Sequence, residues 1–222
     1  SPRSTSVASR RRHGSCELTN SDTIATMIDD LHRILRYEDA VPDSGHDAVP
    51  REIGTDIYVV PFWTPAFCAA VIRAAEAVGA FEYQPDDPVP GHEVSLAVIS
   101  PRLFEHVEVD IGRRLWPILR TVWPYVDYHG LRDAFVIKYE VGGQEELRMH
   151  HDVAQVSASV KLNDGYEGAE LDFPRQGVNN SAAAIGDAVV WPSLVTHPHQ
   201  ATKLRRGVKY GLTVWCEVPT FG

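Results

Sequence analysis

Apolar positions along the chain follow two rhythms, one helical and confined to the first 120 residues, the other alternating and dominant after residue 134. Ile24, Met27, Ile28, Leu31, Ile34 and Leu35 recur at helical spacing, which predicts a packing helix capped by Ser21 and running to about Tyr37. Asp39 to Gly54 is rich in Pro, Gly and Asp without a period and predicts a linker. Ile57 to Val60 predicts a strand. Thr64-Pro65 then opens a helix to about Val78, which Gly79 ends. Ser100-Pro101 opens another, carrying Leu103, Phe104, Val107, Ile111, Leu115 and Leu119, with Pro117 placed to kink it.

The later runs are short and β-type: Ala134 to Glu140, Ser157 to Leu162, Ala169 to Phe173, Ser181 to Ile185, Ala188 to Trp191, and Val208 to Glu217. Gly142-Gly143, Asn163-Asp164-Gly165, Asn179-Asn180 and Gly186-Asp187 punctuate them with residues that tolerate positive φ. Helices followed by about six to eight strands predict an α+β, mainly β fold: a double-stranded β-helix, or jelly roll, with supporting N-terminal helices. Residues 1–55 are expected to form an N-terminal extension of one helix and a linker, and residues 56–222 the functional domain.

Composition narrows the function classes. Hydrophobic residues make up 44% and charged residues 23% of the 222, and no apolar run approaches the roughly 18 residues of a membrane span. The net charge of -9 argues against nucleic acid as a partner and suits a neutral or cationic substrate. Cys16, Cys68 and Cys216 lack metal-type spacing and imply reduced thiols in a cytoplasmic setting. Ser1 to Ser15, with Arg10, Arg11 and Arg12, lacks the apolar stretch of a secretory signal and reads as a tail.

The candidate chemistry lies in His150-His151-Asp152. At the start of a strand, residues two apart project to one face, so His150 and Asp152 can converge on a metal. His199, between the run ending at Trp191 and the strand starting at Val208, supplies a third ligand; His151 and His197 stand as alternatives to His150 and His199. A His-x-Asp pair alone is a common accident. With His199, it makes the facial triad of non-haem Fe(II) oxygenases, which leaves positions open for substrates and oxygen. Lys209, ten residues beyond His199, can pair with the far carboxylate of a dicarboxylic co-substrate. Thr213 shares its face, and Tyr139 can add a phenol from a neighbouring strand. Trp191 and Trp215 read as core.

These residues resemble the Fe(II)/2-oxoglutarate dioxygenases, and within them the catalytic domain of procollagen lysyl hydroxylases. The likeness rests on Ala134-Phe135-Val136-Ile137-Lys138-Tyr139, Met149-His150-His151-Asp152, Leu162-Asn163, Tyr166-Glu167-Gly168, Thr196-His197-Pro198-His199 and Lys209-Tyr210. It implies iron on His150, Asp152 and His199, and 2-oxoglutarate on Lys209, with Tyr139 and Ser159 as further contacts. Lysyl hydroxylases carry arginine at the position of Lys209, and a lysine there is more similar to the prolyl 4-hydroxylase branch. The resemblance implies hydroxylation of an aliphatic carbon in a lysyl or prolyl residue or a free amino acid, consuming O2 and releasing succinate and CO2. Ascorbate is a candidate further cofactor. The rival reading, a non-catalytic cupin-like metal- or sugar-binding module, leaves Lys209 unexplained.

Overall fold

The computed structural model describes residues 20–84 and 87–219. The basic tail, Cys16 and the Ser21 side chain lie outside what it describes. Helix α1 (Asn20–Leu35) comes first, followed by strands β1 (Arg51–Gly54) and β2 (Ile57–Pro61) and helix α2 (Pro65–Val78). Strands β3 (Glu82–Tyr83) and β4 (His92–Ser95) lead into helices α3 (Leu96–Ile99), α4 (Pro101–Asp110) and α5 (Trp116–Leu119). The remaining strands are β5 (Leu131–Glu140), β6 (Leu147–His150), β7 (Val156–Lys161), β8 (Leu171–Phe173), β9 (Val178–Asn179), β10 (Asp187–Pro192), β11 (His199–Ala201) and β12 (Val208–Cys216).

Two antiparallel sheets result, a major one in the order β1-β2-β10-β7-β12-β5-β4-β3 and a minor one in the order β6-β11-β8-β9. This is the mainly β jelly roll that the strand runs predict. The helices cover one face of the major sheet, where Phe62, Phe67, Leu103, Val107, Val136, Val160 and Leu212 form the principal apolar core. The minor sheet covers the other face, and smaller apolar clusters around Phe173 and Trp191 and around Phe135 and Tyr139 lie on that side.

Local chemistry explains the helix ends. The Thr64 side chain accepts a hydrogen bond from the Phe67 amide at the start of α2, and Gly79 closes it at φ 63°, where a Cβ would be strained. Pro117 cannot donate to the carbonyl four residues back and crowds it. The chain answers with a wider π turn over Ile111–Leu115 between α4 and α5, where the sequence predicted a kink.

Three expectations need correction. The predicted linker ends in β1, which pairs with β2. Ser181 to Ile185 is not a strand: Asn180 accepts from the Leu171 amide and Asp187 from the Ala184 amide, local bonds that hold the segment in turns. In α1, only Ile34 of the predicted stripe is buried, while Ile24, Met27, Ile28, Leu31 and Leu35 are 38–56% exposed. The helix docks by one edge, through Ile34 and the two-bonded Asp30–Arg73 ion pair at 2.6 Å. Among the described residues no helix is long and apolar enough to cross a membrane.

Candidate active site

Between the two sheets lies a cavity of about 300 Å³, and every site residue singled out in the sequence lines it: His150, Asp152, His199, Lys209, Tyr139, Ser159 and Thr213. The geometry that joins them differs in part from the expected one. His150 ends β6 instead of starting a strand, and Asp152 sits in the loop beyond it. Consequently Ser159, on β7, does not share a strand with Asp152. His199 opens β11 and is the direct cross-strand partner of His150, so the two imidazoles are brought together by strand pairing.

Ligand-type atoms of His150, Asp152 and His199 all lie within 4.8 Å of one another. Asp152 Oδ1 is 3.5 Å from His150 Nε2 and 3.7 Å from His199 Nε2. The surrounding bonds orient all three. His150 Nδ1 meets the Arg148 carbonyl at 2.8 Å and His199 Nδ1 the His197 carbonyl at 3.0 Å. A carbonyl only accepts, so each Nδ1 carries the proton and each Nε2 lone pair faces the shared point. Ser157 donates to Asp152 Oδ2 at 2.6 Å and is itself 2.6 Å from the Ser193 hydroxyl, which leaves Oδ1 for an ion. Two imidazole nitrogens and one carboxylate oxygen on one side of a point suit a divalent iron.

The electrostatics agree with a cation site. Burial alone would raise the Asp152 carboxyl, but the His150 hydrogen bond, the neighbouring His199 imidazole and the Ser157 hydroxyl outweigh it and hold the group below the usual carboxylate range. Burial lowers His199 and keeps it neutral, the form that ligates. Burial would also lower His150, yet its bonds to Asp152 and the Arg148 carbonyl carry it above the ordinary imidazole value, so a metal ion and a proton compete for Nε2.

The alternatives within each histidine pair lie outside this cluster. His151 is exposed at the cavity rim. His197 is buried, but its Nε2 lies 2.9 Å from the Thr55 carbonyl and its Nδ1 2.9 Å from the Thr196 hydroxyl, so both ring nitrogens are engaged.

Lys209 is 5% exposed, and its ammonium has one hydrogen bond, 2.6 Å to the Ala169 carbonyl, besides lying 4.9 Å above the Tyr139 ring. Burial brings its pKa down to about 8. That carbonyl is presented by a tight turn: Ala169 has φ 52°, and a Cβ on Gly168 would lie 2.1 Å from the Lys203 carbonyl oxygen, so only glycine fits there. Tyr139 pairs with Lys209 across β5 and β12, and Ser159 with Thr213 across β7 and β12. A buried cation with ammonium protons to spare, beside a phenol and two hydroxyls, suits a carboxylate.

No family model matches the chain. A procollagen lysyl hydroxylase and glycosyltransferase of Acanthamoeba polyphaga mimivirus is 26% identical over 171 residues, 72% of this chain and 19% of that protein. Procollagen-lysine,2-oxoglutarate 5-dioxygenase 1 of Mus musculus is 25% identical over 170 residues, 70% of this chain and 23% of that protein. The viral collagen prolyl hydroxylase of Paramecium bursaria Chlorella virus-1, solved as its 2OG complex, superposes with a TM-score of 0.57 at 17% identity, covering 73% of this chain and 97% of that one. By sequence and by fold the chain resembles the Fe(II)/2-oxoglutarate dioxygenases. It spans about a fifth to a quarter of the length of these two sequence relatives.

Sequence reading missed three groups at this site. Ser157, which fixes Asp152, looks like any strand serine until the 152–157 loop is closed. Trp191, read as core, is buried but packs edge-on to His199 at 4.9 Å between ring centres. Glu93 reaches the cavity from β4, a strand with too little alternation to be predicted.

Proposed function

We propose that the chain is a hydroxylase of an aliphatic carbon in an amino-acid-type substrate, lysyl, prolyl or free, with 2-oxoglutarate as co-substrate and O2 as oxidant. The two sequence relatives described above are lysyl hydroxylases by name, whereas a lysine at position 209 is more similar to the prolyl branch. The observation that carries the reading is Lys209: a buried ammonium with no carboxylate in ion-pair contact among the described residues, Glu170 acting on it only through its charge, in one cavity with the His150, Asp152 and His199 cluster. A cupin-like binding module has no use for it.

In this reading His150, Asp152 and His199 hold iron through Nε2, Oδ1 and Nε2. Lys209 takes the far carboxylate of 2-oxoglutarate, with Tyr139, Ser159 and Thr213 completing its pocket. Bound there, iron and 2-oxoglutarate would supply the oxidising power that places one oxygen atom of O2 on the substrate carbon, while the co-substrate leaves as succinate and CO2. Ser157 keeps the Asp152 carboxylate in one rotamer, and the Arg148 and His197 carbonyls hold a proton on Nδ1 of each imidazole, so that Nε2 is the nitrogen turned to the metal. Phe135, Ile137 and Trp215 give the chamber apolar walls that limit water around the reacting carbon. The two described cysteines, Cys68 and Cys216, are buried and unbridged, in keeping with the reducing compartment we propose.

Succinate formation from 2-oxoglutarate, with Fe(II) and air but without a prime substrate, tests this. The wild-type protein is expected to release succinate slowly, and Asp152→Ala to fall to the buffer rate. Equal rates in the two proteins would reject the assignment.

A further inference from the structure

The proposed chemistry leaves three charged residues of the cavity lining unused, Asp87, Glu93 and Arg132; Arg132 is exposed, and Glu93 lies in the sheet floor. Glu93 on β4 stands opposite Ile137 of β5, which stands opposite Gly211 of β12. Residues directly opposed across antiparallel strands share a face, and all three line the cavity with the triad and Lys209. Glu93 is half-buried, and no lysine, arginine or histidine among the described residues pairs with it. Its charged neighbours are Asp133 and Asp87, both already engaged: Asp133 accepts from the Ala134 amide at 2.7 Å and Asp87 from the Val89 amide at 2.8 Å. Burial, then these two charges, push the Glu93 carboxyl up to about 8. A carboxylate so placed gains most from a cation.

Two further features point to a ligand. The backbone over Glu93 is Gly91, where a Cβ would lie 3.0 Å from Glu93 Oε2 and 2.9 Å from Ile137 Cδ1, so the absent side chain leaves the carboxylate uncovered. In the same cavity, the indole N–H groups of Trp191 and Trp215 are buried without an acceptor, and Trp191 is 1% exposed. Unsatisfied buried donors are rare in folded proteins and mark places where another molecule supplies the acceptor. The wall therefore carries one uncovered carboxyl, which a cation would draw into its ionised form, and two indoles whose N–H groups lack an acceptor.

Building on the proposed hydroxylase reading, we infer that Glu93 is a specificity-determining residue: it receives the protonated amine of the substrate, and the indole donors receive a substrate carbonyl or carboxylate oxygen. The amine can be that of a lysine-type side chain or the α-amine of a free amino acid. Cation and carboxylate meet at the cavity wall, which leaves the aliphatic carbons between the amine and the carbonyl to lie across the Ile137–Gly211 floor.

Calorimetric titration of the manganese(II)-loaded protein with small probes tests this without turnover. The probes are Nα-acetyl-L-lysine methylamide, its amine-free counterpart Nα-acetyl-L-norleucine methylamide, and free L-norleucine, whose only amine is at the α position. At least one amine-bearing probe is expected to bind tenfold or more tightly than the amine-free one; which of them does so identifies the amine. Glu93→Gln should abolish that preference, Glu93→Asp should keep part of it, and both should bind 2-oxoglutarate as wild type does. Equal affinities for all three probes, or a preference that survives in Glu93→Gln, would overturn the inference. Titrations run with and without 2-oxoglutarate separate the two proposals, since a failure to bind 2-oxoglutarate counts against the hydroxylase reading alone.

Discussion

Along β12, Leu212 and Val214 point into the helix-backed core, while Lys209, Gly211, Thr213 and Trp215 line the cavity beneath the minor sheet. The same division runs along β5, with Ala134 and Val136 on one side and Phe135, Ile137 and Tyr139 on the other. One face is apolar and closed. The other looks onto the cavity, where Lys209 of β12 and Ser157 of β7 are buried beside Asp152, Ser193 and His199. The pleat alone separates them, so a single strand carries stability on its even positions and chemistry on its odd ones. Burying charge is unfavourable without a partner, and the protein tolerates it on one face because the other supplies the packing.

Neighbouring substitutions on β12 should therefore fail in different ways. Leu212→Ala, at 0% exposure, is expected to lower unfolding stability by roughly 2–5 kcal/mol. It should leave the affinity for 2-oxoglutarate unchanged, as denaturant titration beside ligand titration will show. If ligand binding falls with stability, the two faces are not independent.

Lys209→Met should do the reverse. A lysine brought from 10.5 to about 8 by burial opposes folding by up to about 3 kcal/mol while it is charged, so the ligand-free variant should be the more stable protein below pH 8. Between pH 8 and 10.5 the unfolded chain binds the extra proton, so wild-type stability should rise with pH through that window and the difference from Lys209→Met should shrink. Melting curves across that range check both the sign and the window. In the same range 2-oxoglutarate should bind wild type progressively less well, and Lys209→Arg, which stays charged, should flatten that decline.

Ser157→Ala is the mildest of the three. It removes the bond that fixes Asp152 Oδ2 and leaves the ligands in place, so iron affinity should fall by about 10- to 100-fold with little loss of fold. Competition against a chelator measures it.

How far the sequence carried this picture depended on the length of the pattern. β5, β7, β10 and β12 are long or rich in β-branched residues, and their alternation made them legible. β6 and β11, only four and three residues long, carry the histidines but hold too little apolar pattern to be seen. His150, Asp152, His199 and Lys209 were legible through their chemistry and spacing, whereas the reason the histidines meet, direct cross-strand pairing, lies in register that no local pattern encodes. The stripe on α1 was misleading for a related cause. Periodicity shows that a helix is amphipathic, not that something covers its apolar face.

The central claim is that the cavity between the two sheets, with the triad histidines on the minor sheet and Lys209 on the major one, is built to hold iron and 2-oxoglutarate together. Anaerobic titration of the Fe(II)-loaded protein with 2-oxoglutarate, followed by visible absorption, tests it most directly. A metal-to-ligand charge-transfer band that saturates in wild type, and requires about 30- to several-thousand-fold more 2-oxoglutarate in Lys209→Met, is the expected result for losing one partner of a buried charge pair. No band in folded, iron-loaded protein, or a band with equal affinity in the two proteins, would contradict it.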